Sequence, residues 1–296
     1  MNATRADVLV TGANGQLGSA LKESRWPTTL RPQYASRHVL DITSHNSVAK
    51  WLDNSSCQII INAAAYTAVD RAEQEVEQAF LINSYGPAVL ASEARKRNIA
   101  LIHISTDYVF DGTFDRPYAE CDQPHPINVY GASKLAGEVA ALTVRRCVVL
   151  RTAWLISPFS ENFARAIVKK AQMHEPIRVV SDQIGSPTHA KDVAEAITTI
   201  AARLANDEQC PTGIFHYVNS GHASRYELAH ALLDHTPWKT PPTPSSTQDY
   251  NLPAQRPINS RLSNNKIATS FGIQPTHWRD GIPQLVDRLI NMEPSQ

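Results

Sequence analysis

The sequence predicts a doubly wound α/β fold, a parallel sheet with helices on both faces, followed by a smaller, mainly C-terminal α/β lobe. Three observations predict it. Short apolar runs alternate with helix-like stretches through the first half. A glycine-rich turn follows the first run directly and leads into a helical pattern. The 296 residues are 42% hydrophobic and 19% charged, enough apolar surface for a sizeable core and too little charge for a disordered chain. Lys plus Arg and Asp plus Glu each number 28. No global field therefore gathers nucleic acid or anionic membrane, and neither is expected as a partner.

The strands are read at 8–11, 59–63, 100–105 and 147–152, with another ending near Ala35. Helices are read between them at 16–23, 44–52, 70–81, 87–97 and 129–142. The second half is less regular, with helices at 162–173, 192–204, 225–233 and 281–291. Residues 1–152 are read as a nucleotide-binding domain and 153–296 as mainly a substrate lobe, with some segments returning to the first domain. Between 236 and 257 stand Pro237, Pro241, Pro242, Pro244, Pro253 and Pro257, too many for a helix or a central strand. That stretch is expected to be a surface loop, either a connector or a flap over a ligand.

Cys57, Cys121, Cys147 and Cys210 are scattered, with no C-x-x-C pair and no His cluster at metal-ligand spacing. Buried free thiols are expected and no metal is. No apolar stretch of signal-peptide length precedes Asp7, and no membrane-length run occurs. A cytoplasmic location is expected.

Thr11-Gly12-Ala13-Asn14-Gly15-Gln16-Leu17-Gly18 follows the first strand and opens a helix. That spacing suits a pyrophosphate. Gly12 permits the tight turn, Gly15 lets the backbone approach the phosphates, and Gly18 permits close packing of helix on strand, with the helix N-terminus facing the anion. The fold is thus a Rossmann-type one, with Gly12, Asn14, Gly15, Gln16, Leu17 and Gly18 as cofactor contacts. Ser36 and Arg37, at the end of the second strand, point to the 2′-phosphate of NADPH, although Arg37 also suits a plain surface charge. Asp41, close by, leaves NADH open; with Ile42 it is placed near the adenine or at the cap of the next helix. Asn62-Ala63-Ala64-Ala65 ends another strand, and small side chains at Ala63, Ala64 and Ala65 let a cofactor lie against the backbone.

Tyr130 and Lys134, four apart on a helix, project from one face. An ammonium beside a phenol favours the phenolate and brings its pKa toward the working range. Thr106 ends the third of the apolar runs, where its hydroxyl can bond a carbonyl oxygen on which charge develops.

These segments, with Ser105-Thr-Asp-Tyr-Val-Phe-Asp-Gly112, Ala65-Tyr-Thr-Ala-Val-Asp70, Arg151-Thr-Ala-Trp154, Asp182-Gln-x-Gly-x-Pro-Thr188 and Arg256-Pro-x-Asn-Ser-Arg-Leu262, resemble the extended short-chain dehydrogenases/reductases. Within these they look like the branch that reduces dTDP-linked 4-keto-6-deoxyhexoses. The resemblance covers nearly the whole chain. It implies that NADPH gives hydride to C4 of the sugar while Tyr130 protonates the oxygen, Lys134 holds the nicotinamide ribose and lowers the Tyr130 pKa, and Thr106 completes the triad. It further implies that Thr67, Val69, Asp107, Tyr108 and Trp154 line the sugar-nucleotide pocket, Trp154 by its aromatic face. Arg256 and Arg261 are the natural partners of the substrate diphosphate, and each also suits a surface charge.

The pattern departs in one place. Some bacterial members of the family bridge a homodimer with magnesium through acidic residues, where this chain has Ala20 and Lys191. A metal-bridged dimer is not expected, which leaves a monomer or weak homodimer. Two rivals stay open: a related 4-ketoreductase making another 6-deoxyhexose, and a non-catalytic NADP-binding regulatory subunit. Dehydration is disfavoured because Asp107 is followed by Tyr108 and not by a second carboxylate.

Overall fold

The computed structural model describes residues 5–238, 240–250 and 252–291. Strands β1 (Ala6–Thr11), β2 (Leu30–Ala35), β3 (Cys57–Asn62), β4 (Ala100–Thr106) and β5 (Cys147–Thr152) form a parallel sheet, and Gly213–His216 extends it beyond β5. From that edge the order is Gly213–His216, β5, β4, β3, β1, β2. The helices are α1 (Gln16–Glu23), α2 (His45–Asp53), α3 (Val69–Ala72), α4 (Val76–Phe80), α5 (Gly86–Arg97), α6 (Val129–Ala141), α7 (Phe163–Gln172), α8 (Ala190–Asn206), α9 (Arg225–Leu233), α10 (Asn265–Phe271) and α11 (Ile282–Asn291).

Both faces of the sheet are covered, which is why its strands read as unbroken apolar runs. Val8, Val10, Ile59, Ile61 and Ile102 pack with Leu17 and Leu21 of α1 and with Val193 and Ile197 of α8. On the opposite face Leu9, Ile60, Leu101 and Val149 meet Val48 of α2, Leu90 of α5 and Ala141 of α6. A third cluster joins Trp154 and Ile167 to Leu228 and Leu232 of α9 and to Trp278 and Val286. It also takes in Val109, Phe110 and Tyr118 from the chain before β5.

The direction in which successive strands are added reverses between the parallel neighbours β1 and β3, so a crevice opens at their carboxyl ends. The two ends are tied there by Thr11 Oγ1, which donates to Asn62 Oδ1 at 2.7 Å.

Several expectations need correction. The helix read at 70–81 is broken into α3 and α4, and a π-helical turn, Leu81–Tyr85, then runs straight into α5. That turn carries the fully buried Asn83, which accepts from Tyr66 N at 2.8 Å and donates to Tyr66 O at 2.9 Å and Ser133 Oγ at 3.0 Å. A buried amide satisfied by a loop and a neighbouring helix outweighs regular helix geometry here. The proline-rich stretch is not purely loop, since Thr243–Ser245 pairs in parallel with Arg178–Val180. Pro244 is tolerated because the ladder donors are Thr243 N to Ile177 O and Ser181 N to Ser245 O. The strand Gly213–His216 and helix α10 were not anticipated. Cys57, Cys147 and Cys210 are buried, but Cys121 is exposed.

One buried ion pair fixes α6 against the sheet. Glu138 of α6 accepts from Arg151 Nε at 2.8 Å and Nη2 at 2.7 Å, and from Ser105 Oγ at 2.5 Å. Each charged side chain is 1% exposed. Replacing Arg151 by Met strands a buried carboxylate and should cost about 3–5 kcal/mol in urea unfolding, whereas Arg151→Met with Glu138→Leu should recover most of it. Equal losses in the single and double variants would assign the cost to packing and not to charge.

Candidate active site

The turn after β1 is made by Gly12 at φ +67, where an added Cβ would lie 2.6 Å from the Ala63 and Ala64 backbone. Ala63, Ala64 and Ala65 are half-buried on the facing wall. Gly15 is the N-cap of α1, and no side chain occupies that cap. The first N–H groups and the positive end of the helix are thus left for an anion. At Gly18 a Cβ would lie 2.3 Å from Gly12 O, so this glycine seats α1 on the loop itself and not on a strand, as the spacing had suggested. Asn14 Oδ1 accepts from Lys22 Nζ at 3.2 Å, Leu17 is buried in the core, and Gln16 Oε1 accepts from Ser157 Oγ at 2.8 Å. Gln16 therefore bridges to the chain beyond β5.

Ser36 and Arg37 follow β2 immediately at the same edge, and Arg37 is exposed. Asp41 accepts from Thr43 N at 2.9 Å and Thr43 Oγ1 at 2.7 Å. Those bonds, helped by the Arg37 charge, hold its carboxyl below the usual range. The cap of α2 is Ser44, which accepts from Ser47 N. Asp41 thus organises the turn before the helix, and the Ile42 side chain is buried in the core against Gly86.

Thr106 ends β4, and α6 is brought to it by Gly131, where a Cβ would lie 2.1 Å from Tyr108 O. Asn128 caps α6 by accepting from Gly131 N at 2.7 Å and ties it to the 254–256 segment by donating to Gln255 O at 2.8 Å. Glu73 accepts from Val129 N at 2.8 Å. This places Tyr130 edge-on to Tyr108, with ring centroids 5.7 Å apart. Lys134, 2% exposed, donates to Ile104 O at 2.6 Å. Burial lowers its pKa to about 8, with Glu138 acting in the opposite direction.

Thr106, Tyr130 and Lys134 are therefore brought together, but one electrostatic expectation is reversed. Burial pushes the Tyr130 phenol well above its ordinary value; the Thr106 hydroxyl opposes this, and Asp107 and Tyr108 add to it. Desolvation of the anion sets the direction. Asp107 is 2% exposed and accepts from Thr106 Oγ1 at 3.0 Å. Burial raises its carboxyl to about 6.

Thr67 is exposed and Val69 half-buried at the start of α3. Arg256 makes a two-pronged ion pair with Asp70 at 3.0 and 2.7 Å. Arg261 instead donates to Asn259 Oδ1 at 2.8 Å and to the Asp115 carbonyl. Trp154 is only 8% exposed, and the guanidinium of Arg225 lies over its ring at 3.6 Å. The face expected to carry a hexose is taken by protein. Sequence reading passed over Asn128, Asn83 and Arg225. Asn before an apolar helix is a legible cap signal, whereas nothing in the spacing marks the other two.

Ala20 and Lys191 meet on a separate cavity of about 760 Å³, lined also by Glu23, Asp192 and Arg288. None of Thr106, Tyr130 and Lys134 lines it. Among the described residues no cluster of three or more His, Cys, Asp or Glu side chains is placed to hold a metal, and no helix is long and apolar enough to cross a membrane.

A glycine-turn cradle at the sheet's switch point, facing a Thr-Tyr-Lys group, defines a nucleotide-dependent oxidoreductase of the extended short-chain dehydrogenase/reductase class. Comparison with known proteins narrows this. The model of the RmlD substrate binding domain family matches residues 6–291. A dTDP-4-dehydrorhamnose reductase of Sinorhizobium fredii is 38% identical over 95% of this chain and 97% of its own. A dTDP-4-keto-6-deoxy-D-glucose reductase of Streptomyces niveus is 40% identical over 80% of this chain and 82% of its own. The crystal structure of a dTDP-4-dehydrorhamnose reductase from Bacillus anthracis, in complex with NADP, superposes with a TM-score of 0.89 at 34% identity, covering 95% of this chain and 99% of that one. The chain belongs to the RmlD family.

Asp107 supplies a test of the site's burial. Its folded-state pKa lies above the ordinary 3.8, so its contribution to stability is full below about pH 4 and is lost as pH rises through 6. Asp107→Asn, always neutral, should gain about 3 kcal/mol relative to the wild type between pH 4 and pH 7.5 in urea unfolding. A gap independent of pH would mean that Asp107 ionises without a burial cost.

Proposed function

We propose that the chain is the NADPH-dependent reductase of the C4 ketone of dTDP-4-dehydro-6-deoxy-L-mannose, giving dTDP-L-rhamnose. The observation that carries this reading is the gathering of Thr106, Tyr130 and Lys134 at the carboxyl end of β4, with the Gly12–Ala63 cradle two strands away at the same sheet edge. The residues present fit a dinucleotide: α1 has an uncapped N-terminus, glycine lets the backbone close on Ala63, and Arg37 stands free at the end of β2. Gly12, Gly15 and Gly18 with Ala63, Ala64 and Ala65 would hold the pyrophosphate and adjoining ribose, and Ser36 and Arg37 the 2′-phosphate. Bound there, NADPH supplies the hydride.

The chain's own residues supply the proton and the positioning. Because Tyr130 is held protonated, it is a donor in waiting, able to release its proton only as negative charge grows on the substrate oxygen. Thr106, its hydroxyl turned from Asp107, would donate to the same oxygen and stabilise that charge in a largely buried site. Lys134 spends one N–H on Ile104 O and keeps two for a ribose hydroxyl. A single carboxylate, Asp107, beside Tyr108 lacks the acid–base partner that water elimination requires, which favours reduction. Thr67, Val69, Tyr108 and Arg256 are read as the substrate side of the cleft. With Ala20 and Lys191 at the paired positions, the chain is read as a monomer or weak homodimer. The Streptomyces relative favours one second reading, reduction of another dTDP-4-keto-6-deoxyhexose.

The reading is checked by loss of 340 nm absorbance when the protein and NADPH meet enzymatically made dTDP-4-keto-L-rhamnose; NADPH binding without oxidation would overturn it. Tyr130→Phe should lower kcat by about 100-fold or more while NADPH still binds, and a near-normal kcat would remove Tyr130 from its role. Arg37→Ala should weaken NADPH by about tenfold and leave NADH nearly unchanged. Equal effects on both would show that Arg37 does not read the 2′-phosphate.

A further inference from the structure

Trp154 and Arg225 form a unit that the proposed chemistry does not yet use. The Trp154 backbone sits at φ +44, in the left-handed region. Gly185 presses on its indole so closely that a Cβ there would lie 2.3 Å from Cε2. The ring is thereby locked. Arg225, the first residue of α9, stacks on it with Cζ 3.6 Å from the ring centroid, and Phe163 lies 5.2 Å from the same guanidinium. Stacking holds the plane of the guanidinium and aims its N–H edges, which reach the Tyr108 hydroxyl and have further donors to spare.

The charge on that guanidinium is not neutralised. Among the described residues no carboxylate lies within 4.0 Å of Arg225, whereas Arg256 is paired with Asp70 at 2.7 Å. Asp107 acts on it only from beyond ion-pair distance. Both guanidiniums flank Tyr108, where their charges work against the burial that raises its phenol. Of the two converging cations only Arg256 has a carboxylate in ion-pair contact, which leaves Arg225 suited to a further negative group, and a neutral sugar hydroxyl does not supply one. A diphosphate does, with oxygens spaced for a guanidinium fork.

We propose that Arg225 is the principal diphosphate-binding residue of the sugar-nucleotide site, with Trp154 as its positioning residue and Arg256 in second place. This displaces Arg261 from the role and changes that of Trp154 from sugar platform to support. The identity of the ligand rests on the sugar-nucleotide reading above; the anion site itself rests on the geometry.

The test is calorimetric titration of the full chain with dTDP, thymidine and inorganic pyrophosphate, with NADPH binding as the check on folding. Arg225→Gln should weaken dTDP at least tenfold while thymidine and NADPH bind as in the wild type. Arg225→Lys, which keeps the charge but loses the fork, should recover only part. Trp154→Leu should weaken dTDP in the wild type and add little in the Arg225→Gln background. Unchanged dTDP affinity in Arg225→Gln, or full additivity of the two substitutions, overturns the proposal while NADPH oxidation with the keto-sugar still upholds the reductase. Should the wild type reduce no keto-sugar, the reductase reading fails separately. Loss of pyrophosphate binding in Arg225→Gln then still supports the anion site, and unchanged binding overturns it.

Discussion

The buried Glu138–Arg151 pair, with Ser105 as its third member, is the interaction on which the arrangement at the carboxyl edge depends. It joins α6 to β4 and β5 at once, and α6 carries both Tyr130 and Lys134. Further along the same helix Gly131 permits contact with the Tyr108 backbone, and Asn128 and Glu73 satisfy N–H groups at the helix start. The helix is thus held along its length by polar bonds, buried at Glu138 and Gly131 and part-buried at Val129. The buried ones are worth more for their surroundings and would be costly to leave half made.

Burial also governs the chemistry. Desolvation raises Tyr130 and Asp107 and lowers Lys134, in each case disfavouring the charged form. A phenol kept neutral, a carboxyl that ionises near neutrality and an ammonium near its own titration point describe a site poised to move one proton. The same low polarity makes Arg225, with no carboxylate in ion-pair contact among the described residues, informative. Where neutral forms are favoured, a guanidinium retained without a counter-ion marks the place an anion is to occupy.

Much of the fold was legible because the sheet is covered on both faces. Buried strands with helices on each side read as apolar runs at Val8, Ile59, Leu101 and Val148, and the glycine turn after β1 announced the crevice. Gly213–His216 was not legible, since four residues led by a glycine carry little pattern. The π-helical turn between α4 and α5 escaped notice because Asn83, polar and fully buried, is satisfied by Tyr66 and Ser133, distant in sequence. Cys121 stands exposed where composition alone favoured a buried thiol.

The candidate site divides in the same way. Sequence by itself determined the residue types and their local spacing: the glycines at 12, 15 and 18, the Tyr130–Lys134 interval on one helix face, and Thr106 at a strand end. Local geometry dictates these, and a helix or turn repeats them wherever it forms. Only the tertiary structure decided how those groups ionise, which partners Arg225, Arg256 and Arg261 take, and that Trp154 supports a cation instead of meeting a sugar. Desolvation and ion pairing depend on which side chains the fold brings within a few ångströms, and those neighbours lie tens to hundreds of residues apart in the chain.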